Sequence, residues 1–200
     1  MALDATKVYI GLADQSAAVG AISSGTLIDA DDIPTTMSEA ETLAATFTSS
    51  GYVSEDGLTL STDYSTADIK EWNGALVRRI LESFDGTLSW TLIQMDADGW
   101  KQAFGEENVS VTPAGYGHGE QITISLGAHL PAPKSWCFKM KDGDAKILIF
   151  VPNGQITSVD DITFNATEAI ALPVTLSTYD DGEGESILIF TDDGAPLVSS

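Results

Sequence analysis

The side chains that could do chemistry are few, and their spacing limits what they can do. Cys137 is the only cysteine. It lies in the alternating run Trp136-Cys-Phe-Lys-Met-Lys, where a thiol is a small side chain of a sheet rather than a nucleophile, which needs an electropositive, partly exposed setting. His118 and His129 are eleven residues apart, with no cysteine or further histidine at the spacing a zinc site requires. The run Gly115-Tyr-Gly-His-Gly lacks both the strand-to-helix context and the closing Lys-Ser or Lys-Thr of a phosphate loop, so it reads as a flexible loop. The pairs Asp96/Asp98, Asp142/Asp144, Asp160/Asp161 and Asp180/Asp181 have the residue type of calcium ligands or of glycosidase carboxylates. None fits the EF-hand loop ending in Glu, and all but Asp160/Asp161 have a glycine within two residues, which is turn chemistry. No catalytic, cofactor-binding or metal-ligating residue is assigned, and no cofactor is expected.

The elements that hold these residues are strands, and the chain is organised around Gly51 to Ile93. That stretch reads as a turn, a short polar strand, a long strand carrying Trp72, a reversal at Asp85-Gly86 and a return strand carrying Trp90. In the return strand Leu88, Trp90 and Leu92 alternate with Thr87, Ser89 and Thr91, so one face of the pleat is apolar and the other hydroxylated.

Before this ribbon, Val8, Ile10 and Leu12 read as a first strand, Ser16 to Gly20 as a small-residue loop, and Gly25 to Ile28 as a second strand. Asp29 to Pro34 breaks regular structure. Ser38 to Ala45 reads either as helical turns, with Ser38 as N-cap and Glu41 completing a capping box, or as an ordered loop.

After the ribbon, Asp96 to Gly105 is a helix: Asp96 or Asp98 caps it, Trp100, Ala103 and Phe104 share a face, and Gly105 stops it. Strands follow at Val109 and Val111, at Ile122 to Leu126, at Trp136 to Lys141 with a turn at Asp142-Gly143, and at Ile147 to Val151, apolar throughout and so buried on both faces. Pro152-Asn-Gly reads as the next turn. Ile162, Phe164 and Ala166 alternate, as do Ile170 to Leu176, where Pro173 demands an edge or a bulge. Ile187 to Phe190 is last. About ten short strands and one helix predict an all-β sandwich or barrel with one short flanking helix.

Bulk properties set the class. Two hundred residues without a composition break predict one domain over 1–200, with terminal arms at about 1–6 and 191–200. A folded chain of 21.1 kDa should expose roughly 9,000 Å² of surface against about 31,000 Å² unfolded, enough burial for a core without disulfides or metals. Nine Lys and Arg stand against 30 Asp and Glu, a net charge of -21, which excludes a nucleic-acid reader working through a basic patch. With 43% hydrophobic residues in regular alternation the chain is folded, not disordered. The acid then serves solubility, or a surface past which a polyanion moves without sticking. No window approaches the ~20 apolar residues of a membrane span and no leader is visible before Lys7, so synthesis and folding in a cytosol are expected.

Four segments carry a resemblance. Gly-Tyr-Val-Ser-Glu-Asp-Gly at 51–57, Asp-Ile-Lys-Glu-Trp at 68–72, Phe-Gly-Glu-Glu-Asn-Val at 104–109 and Ala-Ile-Ala-Leu-Pro-Val-Thr-Leu at 169–176 resemble, in that order, the major tail tube proteins of long-tailed bacteriophages, over about Lys7 to Phe190. The resemblance implies a structural virion protein without catalytic activity, assembled in the host cytoplasm into stacked, hexameric rings around a channel for genome ejection. It implies as partners further copies of itself, a tape measure protein, a tail terminator and baseplate or tip proteins, with genomic DNA passing without specific binding and no membrane contact. Family members often carry a further immunoglobulin-like domain, and a chain ending ten residues past Phe190 reads as the minimal subunit. Six copies would bring six times the charge of -21 to a ring, repelling phosphate within a Debye length of ~8 Å. The polar 38–66 segment is the expected loop for docking on the next ring, and the free subunit is expected to be a monomer. The rival reading is a secreted β-sandwich that binds or hydrolyses carbohydrate, with Trp72, Trp100 or Trp136 as a sugar platform.

Overall fold

Alternation in the return strand buries Leu88, Trp90 and Leu92, and the rest of the sheet closes over them. The computed structural model describes residues 7–14 and 19–195. Its strands are β1 (Leu12–Ala13), β2 (Ile22–Gly25), β3 (Thr48–Ser49), β4 (Val53–Lys70), β5 (Leu76–Leu92), β6 (Val109–Thr112), β7 (Gln121–Ile124), β8 (Lys134–Asp142), β9 (Ala145–Val159), β10 (Leu172–Thr178) and β11 (Leu188–Asp192); its α-helices are α1 (Met37–Ala44) and α2 (Ala97–Phe104). One antiparallel sheet runs β3-β2-β8-β9-β10-β5-β4, with β1 added to β8 and β11 to β9, and β6 and β7 form a separate ribbon. The fold is all-β with short flanking helices.

The main sheet is curled onto itself. Two strands, β9 and β10, separate β8 from β5, a spacing of roughly 14 Å in a flat sheet, yet Trp90 of β5 lies 5.4 Å from Trp136 and 5.3 Å from Phe138 of β8, ring centre to ring centre. The two halves therefore face each other across the core. The opposite face of β8 and β9 is covered too: Cys137, Leu148 and Phe150 pack with Ala40 and Ala44 of α1 and with Phe47. The apolar run Ile147 to Val151 is buried from both sides, as its unbroken hydrophobicity requires. Helix α2 starts at Asp96, whose side chain accepts from the Gly99 N–H at 2.8 Å, and packs Trp100, Ala103 and Phe104 onto the core.

Several expectations fail for identifiable reasons. Asp85-Gly86 is not a turn: Asp85 pairs with Asp63 and Gly86 with Thr62 inside a continuous ladder. Gly86 is glycine because a Cβ there would sit 2.5 Å from Thr178 Oγ1 and 2.8 Å from Ile187 Cδ1. The reversal is instead at Glu71 to Gly74, where the Gly74 N–H donates to Glu71 O at 2.8 Å and Gly74 takes a positive φ of 84°. Trp72 thus lies in the turn, not in a strand. Pro152-Asn-Gly does not reverse the chain either. Strand β9 runs through it, opposite a register shift in β8, and exchanges β11 for β10 as its neighbour; a bulge is where a strand tolerates proline.

Ile162 to Ala166 forms no strand. Asn165 Oδ1 accepts from the Thr167 and Glu168 N–H groups at 2.9 and 2.8 Å, and this side-chain-stabilised turn outcompetes extension. Pro173 lies in an interior strand, but its imide nitrogen points past the end of β9, where its carbonyl accepts from Asp160 N–H. The first strand shrinks to Leu12–Ala13, leaving Val8 and Ile10 exposed. The second sits earlier than expected, since Ala21 and Ile22 are buried while Leu27 is exposed, and the last runs on to Asp192. Residues 1–6, 15–18, which include the first part of the expected Ser16 to Gly20 loop, and 196–200 lie outside the described residues; Thr191 and Asp192, assigned to an arm, are paired in β11.

The 38–45 segment is helical, but its cap is Thr36, two residues before Ser38. Thr36 Oγ1 accepts from Glu39 N–H at 3.3 Å, and Glu39 Oε2 accepts from Thr36 N–H at 3.2 Å. Hydrogen bonds from the Thr35 N–H and hydroxyl hold the Glu39 carboxyl below its ordinary range. Thr36→Ala should cost about 1 kcal/mol of stability whereas Ser38→Ala stays within ~0.5 kcal/mol; equal effects in denaturant titrations would return the cap to Ser38. Trp136→Ala, which empties the centre of the fold, should cost ~3–5 kcal/mol by the same titration.

Candidate functional site

The residues that sequence spacing singled out for chemistry do not converge. Cys137 is fully buried, and burial pushes its thiol up to about 12, so it carries no thiolate at neutral pH. His118 closes a small loop, its backbone exchanging hydrogen bonds with Gly115. Among the described residues no group of three His, Cys, Asp or Glu side chains could hold a metal ion. Acids of these pairs serve backbone: Asp180 Oδ1 accepts from Gly182 N–H at 2.6 Å and Asp181 Oδ1 from Glu183 N–H at 2.8 Å, both local, and Asp142 Oδ2 accepts from the distant Ile10 N–H at 3.1 Å. Of the three tryptophans considered as a sugar platform, Trp136 is in the core and Trp100 stacks on Phe104 at 5.8 Å. Trp72 alone is fully exposed.

Trp72 marks the feature that spacing did not reveal. Strands β4 and β5, of 18 and 17 residues, pair from Leu58/Trp90 out to Lys70/Leu76, with one further pair at Val53/Leu92, but only the half near Leu58, Leu60, Leu88 and Trp90 belongs to the core. Beyond Gly86 both strands leave the body as a two-stranded arm with nearly every residue exposed. The register puts Tyr64/Phe84, Thr66/Leu81 and Asp68/Arg79 on the continuation of the core face, and Asp63/Asp85, Ala67/Ile80 and Ile69/Arg78 on the other. Tyr64 and Phe84 meet at 5.0 Å between ring centres. Farther out, Arg79 forks onto Asp68, Nε to Oδ1 at 2.7 Å and Nη2 to Oδ2 at 3.3 Å. That hydrogen-bonded pair lowers the Asp68 carboxyl and raises the Arg79 guanidinium, tying the two strands together at mid-arm.

The arm is where the chain exposes large apolar side chains in series: Tyr64, Ile69, Trp72, Leu76, Val77, Ile80 and Leu81 are all open to solvent. It also carries both arginines of the sequence, Arg78 and Arg79. A groove of about 910 Å³ lies at its root, between the Tyr64/Phe84 face and the segment from Tyr179 to Ile189. The expected docking loop over 38–66 is therefore not a loop. Its first part is α1, packed on the body, and its last part is one strand of the arm. An alternating apolar pattern reads as core, so only the sheet's geometry could show that this stretch projects.

These features suit association. No curated protein matches the sequence. Among solved structures the chain is similar to the anti-feeding prophage cap, the AFP tube terminating cap seen by cryo-electron microscopy, at 14% identity and a TM-score of 0.43 over 94% of this chain and 97% of that one. Residues 8–196 match the family described as phage tail tube protein. With nearly the whole sequence inside that match, the chain belongs to the phage tail tube protein family and is a structural component of a phage tail.

Proposed function

We propose that copies of this chain close into rings, six to a ring, that stack into a hollow tube around the path of the ejected genome, in a virion assembled in the host cytoplasm. The tube performs no catalysis, and its ends meet a tape measure protein, a terminator and baseplate or tip proteins. The observation that carries the reading is the arm. A two-stranded ribbon is marginal by itself in water, and one that exposes a series of large apolar side chains on both faces is a surface built to be covered. The whole chain has 12805 Å² of accessible surface, well above the roughly 9,000 Å² of a compact monomer of this mass. The free edge of β4 offers a further 18 residues of backbone to a neighbour.

Charge supports the passage of DNA. Five of the seven lysines, Lys7, Lys101, Lys134, Lys141 and Lys146, are ion-paired within the subunit, and Lys139 is buried. What the body shows to a passing phosphate backbone is therefore acid, and phosphate is held off within about a Debye length of ~8 Å at physiological salt. The same acid opposes the approach of one subunit to another, so the free chain is a monomer at low salt.

Concentrated protein, or virions containing it, should show rings or tubes by negative-stain electron microscopy; their absence from both would reject the tube. Sedimentation should find more polymer at high salt than at low, because screening relieves subunit repulsion. Equal assembly in both would remove charge from the account. On assembly, amides of residues 64–81 should change from fast to slow hydrogen exchange, whereas those of β8 and β9 are slow throughout.

A further inference from the structure

The two ends of the arm differ in charge and shape in a way that fits one to the other. At the tip, residues 69–80 hold three cations, Lys70, Arg78 and Arg79, against a single acid, Glu71, in a chain where acids outnumber cations 30 to 9. Arg79 is engaged by Asp68. Lys70 and Arg78 are exposed and, among the described residues, are the exposed cations that no ion pair holds. Between them stands the fully exposed Trp72. Tryptophan and arginine are the side chains that most often dominate binding energy at protein interfaces.

At the root the pattern is complementary. The groove is floored by Tyr64, Phe84 and Ile187 and edged by Asp180 and Glu185. Among the described residues no cation is paired with Asp180 or Glu185. An aromatic floor under an acidic edge suits an indole flanked by cations, which also gain from lying over aromatic faces. A subunit cannot fill its own groove: about eight residues of paired strand separate Tyr64 from Trp72, some 27 Å of extended chain.

We propose that the tip of one copy, Trp72 with Lys70 and Arg78, seats in the root groove of a second copy, with Trp72 on the aromatic floor and the cations against Asp180 and Glu185. This rests on the tube reading, for which it supplies the contact. Contact ion pairs a few ångströms apart are screened by salt far less than repulsion between whole subunits, so the seat persists at ionic strengths that relieve the long-range opposition.

Charge exchange tests it. Lys70→Glu with Arg78→Glu, all exposed positions, should leave the circular dichroism of the monomer unchanged and lower the polymer fraction about tenfold or more. Asp180→Asn with Glu185→Lys should do the same, and mixing the two variants should restore mixed polymer. Separately, oxidation of a mixture of Trp72→Cys and Tyr64→Cys chains should give the heterodimer across the seat, a result independent of tube formation and of the buried Cys137. Tubes that survive the tip reversal, with or without loss of phage infectivity, or variants that fail to rescue each other, overturn the seat and leave the tube standing. Cross-linked pairs without any tube would uphold the seat and reject the tube, and neither cross-links nor tubes would reject both.

Discussion

One face of one pleated ribbon governs the molecule. The side chains of β4 and β5 that point inward at Leu58, Leu60, Leu88 and Trp90 continue without a change of side through Thr62/Gly86 to Tyr64/Phe84 and Thr66/Leu81. Pleating forces this, since a strand cannot turn its apolar set over without slipping register. The body covers the first half of the face with β8 and β9, and at Gly86 that cover ends, where Thr178 and Ile187 press so close that a side chain has no room. Everything beyond is the same surface without its partner.

The distribution of charge follows the same division. In the body, cations are spent locally: Lys134 holds Glu106 at 2.8 Å and Lys146 holds Glu41 at 2.8 Å, with Glu106 lowered by its bond from Lys134 and Lys146 raised by its bond to Glu41. Such exposed pairs add little stability. Their consequence is subtractive, because among the described residues they leave the body no exposed, unpaired lysine and a large excess of acid. Attraction can then be concentrated at one place, the tip, while repulsion is spread over the rest.

What the sequence made legible was local, and what it hid was decided by distant residues. The alternation around Trp90, the helix at Asp96 and the doubly buried run at Ile147 could be read because neighbours in sequence determined them. Asp85-Gly86 and Asn73-Gly74 are equally good reversal signals; Thr178 and Ile187, nearly a hundred residues away, assign the first to a ladder and leave the turn to the second. Thr36 and Ser38 both have a Glu three residues on, and the burial of Ala40 and Ala44 against β8 and β9 goes with the earlier start. The arm was misread for the same reason. Leu76 to Leu81 has the composition of a core strand, and composition does not say whether the partner surface belongs to the same molecule.

The edge of β4 then raises a problem of control, because a long unpaired strand invites any other strand. Three interruptions answer it. The register slips between Val53 and Leu58, between Ser65 and Thr66 and between Ile69 and Lys70, so no long stretch of that edge is straight. Glu55, Asp56 and Asp63 place acid along it, and an identical edge brought alongside would oppose acid with acid. Indiscriminate edge pairing is thereby disfavoured at each step, whereas a contact that pairs a cationic, aromatic tip with an acidic groove is not. Growth by a specific seat, with edges meeting only after the seat has set their register, is the order of events that both features permit.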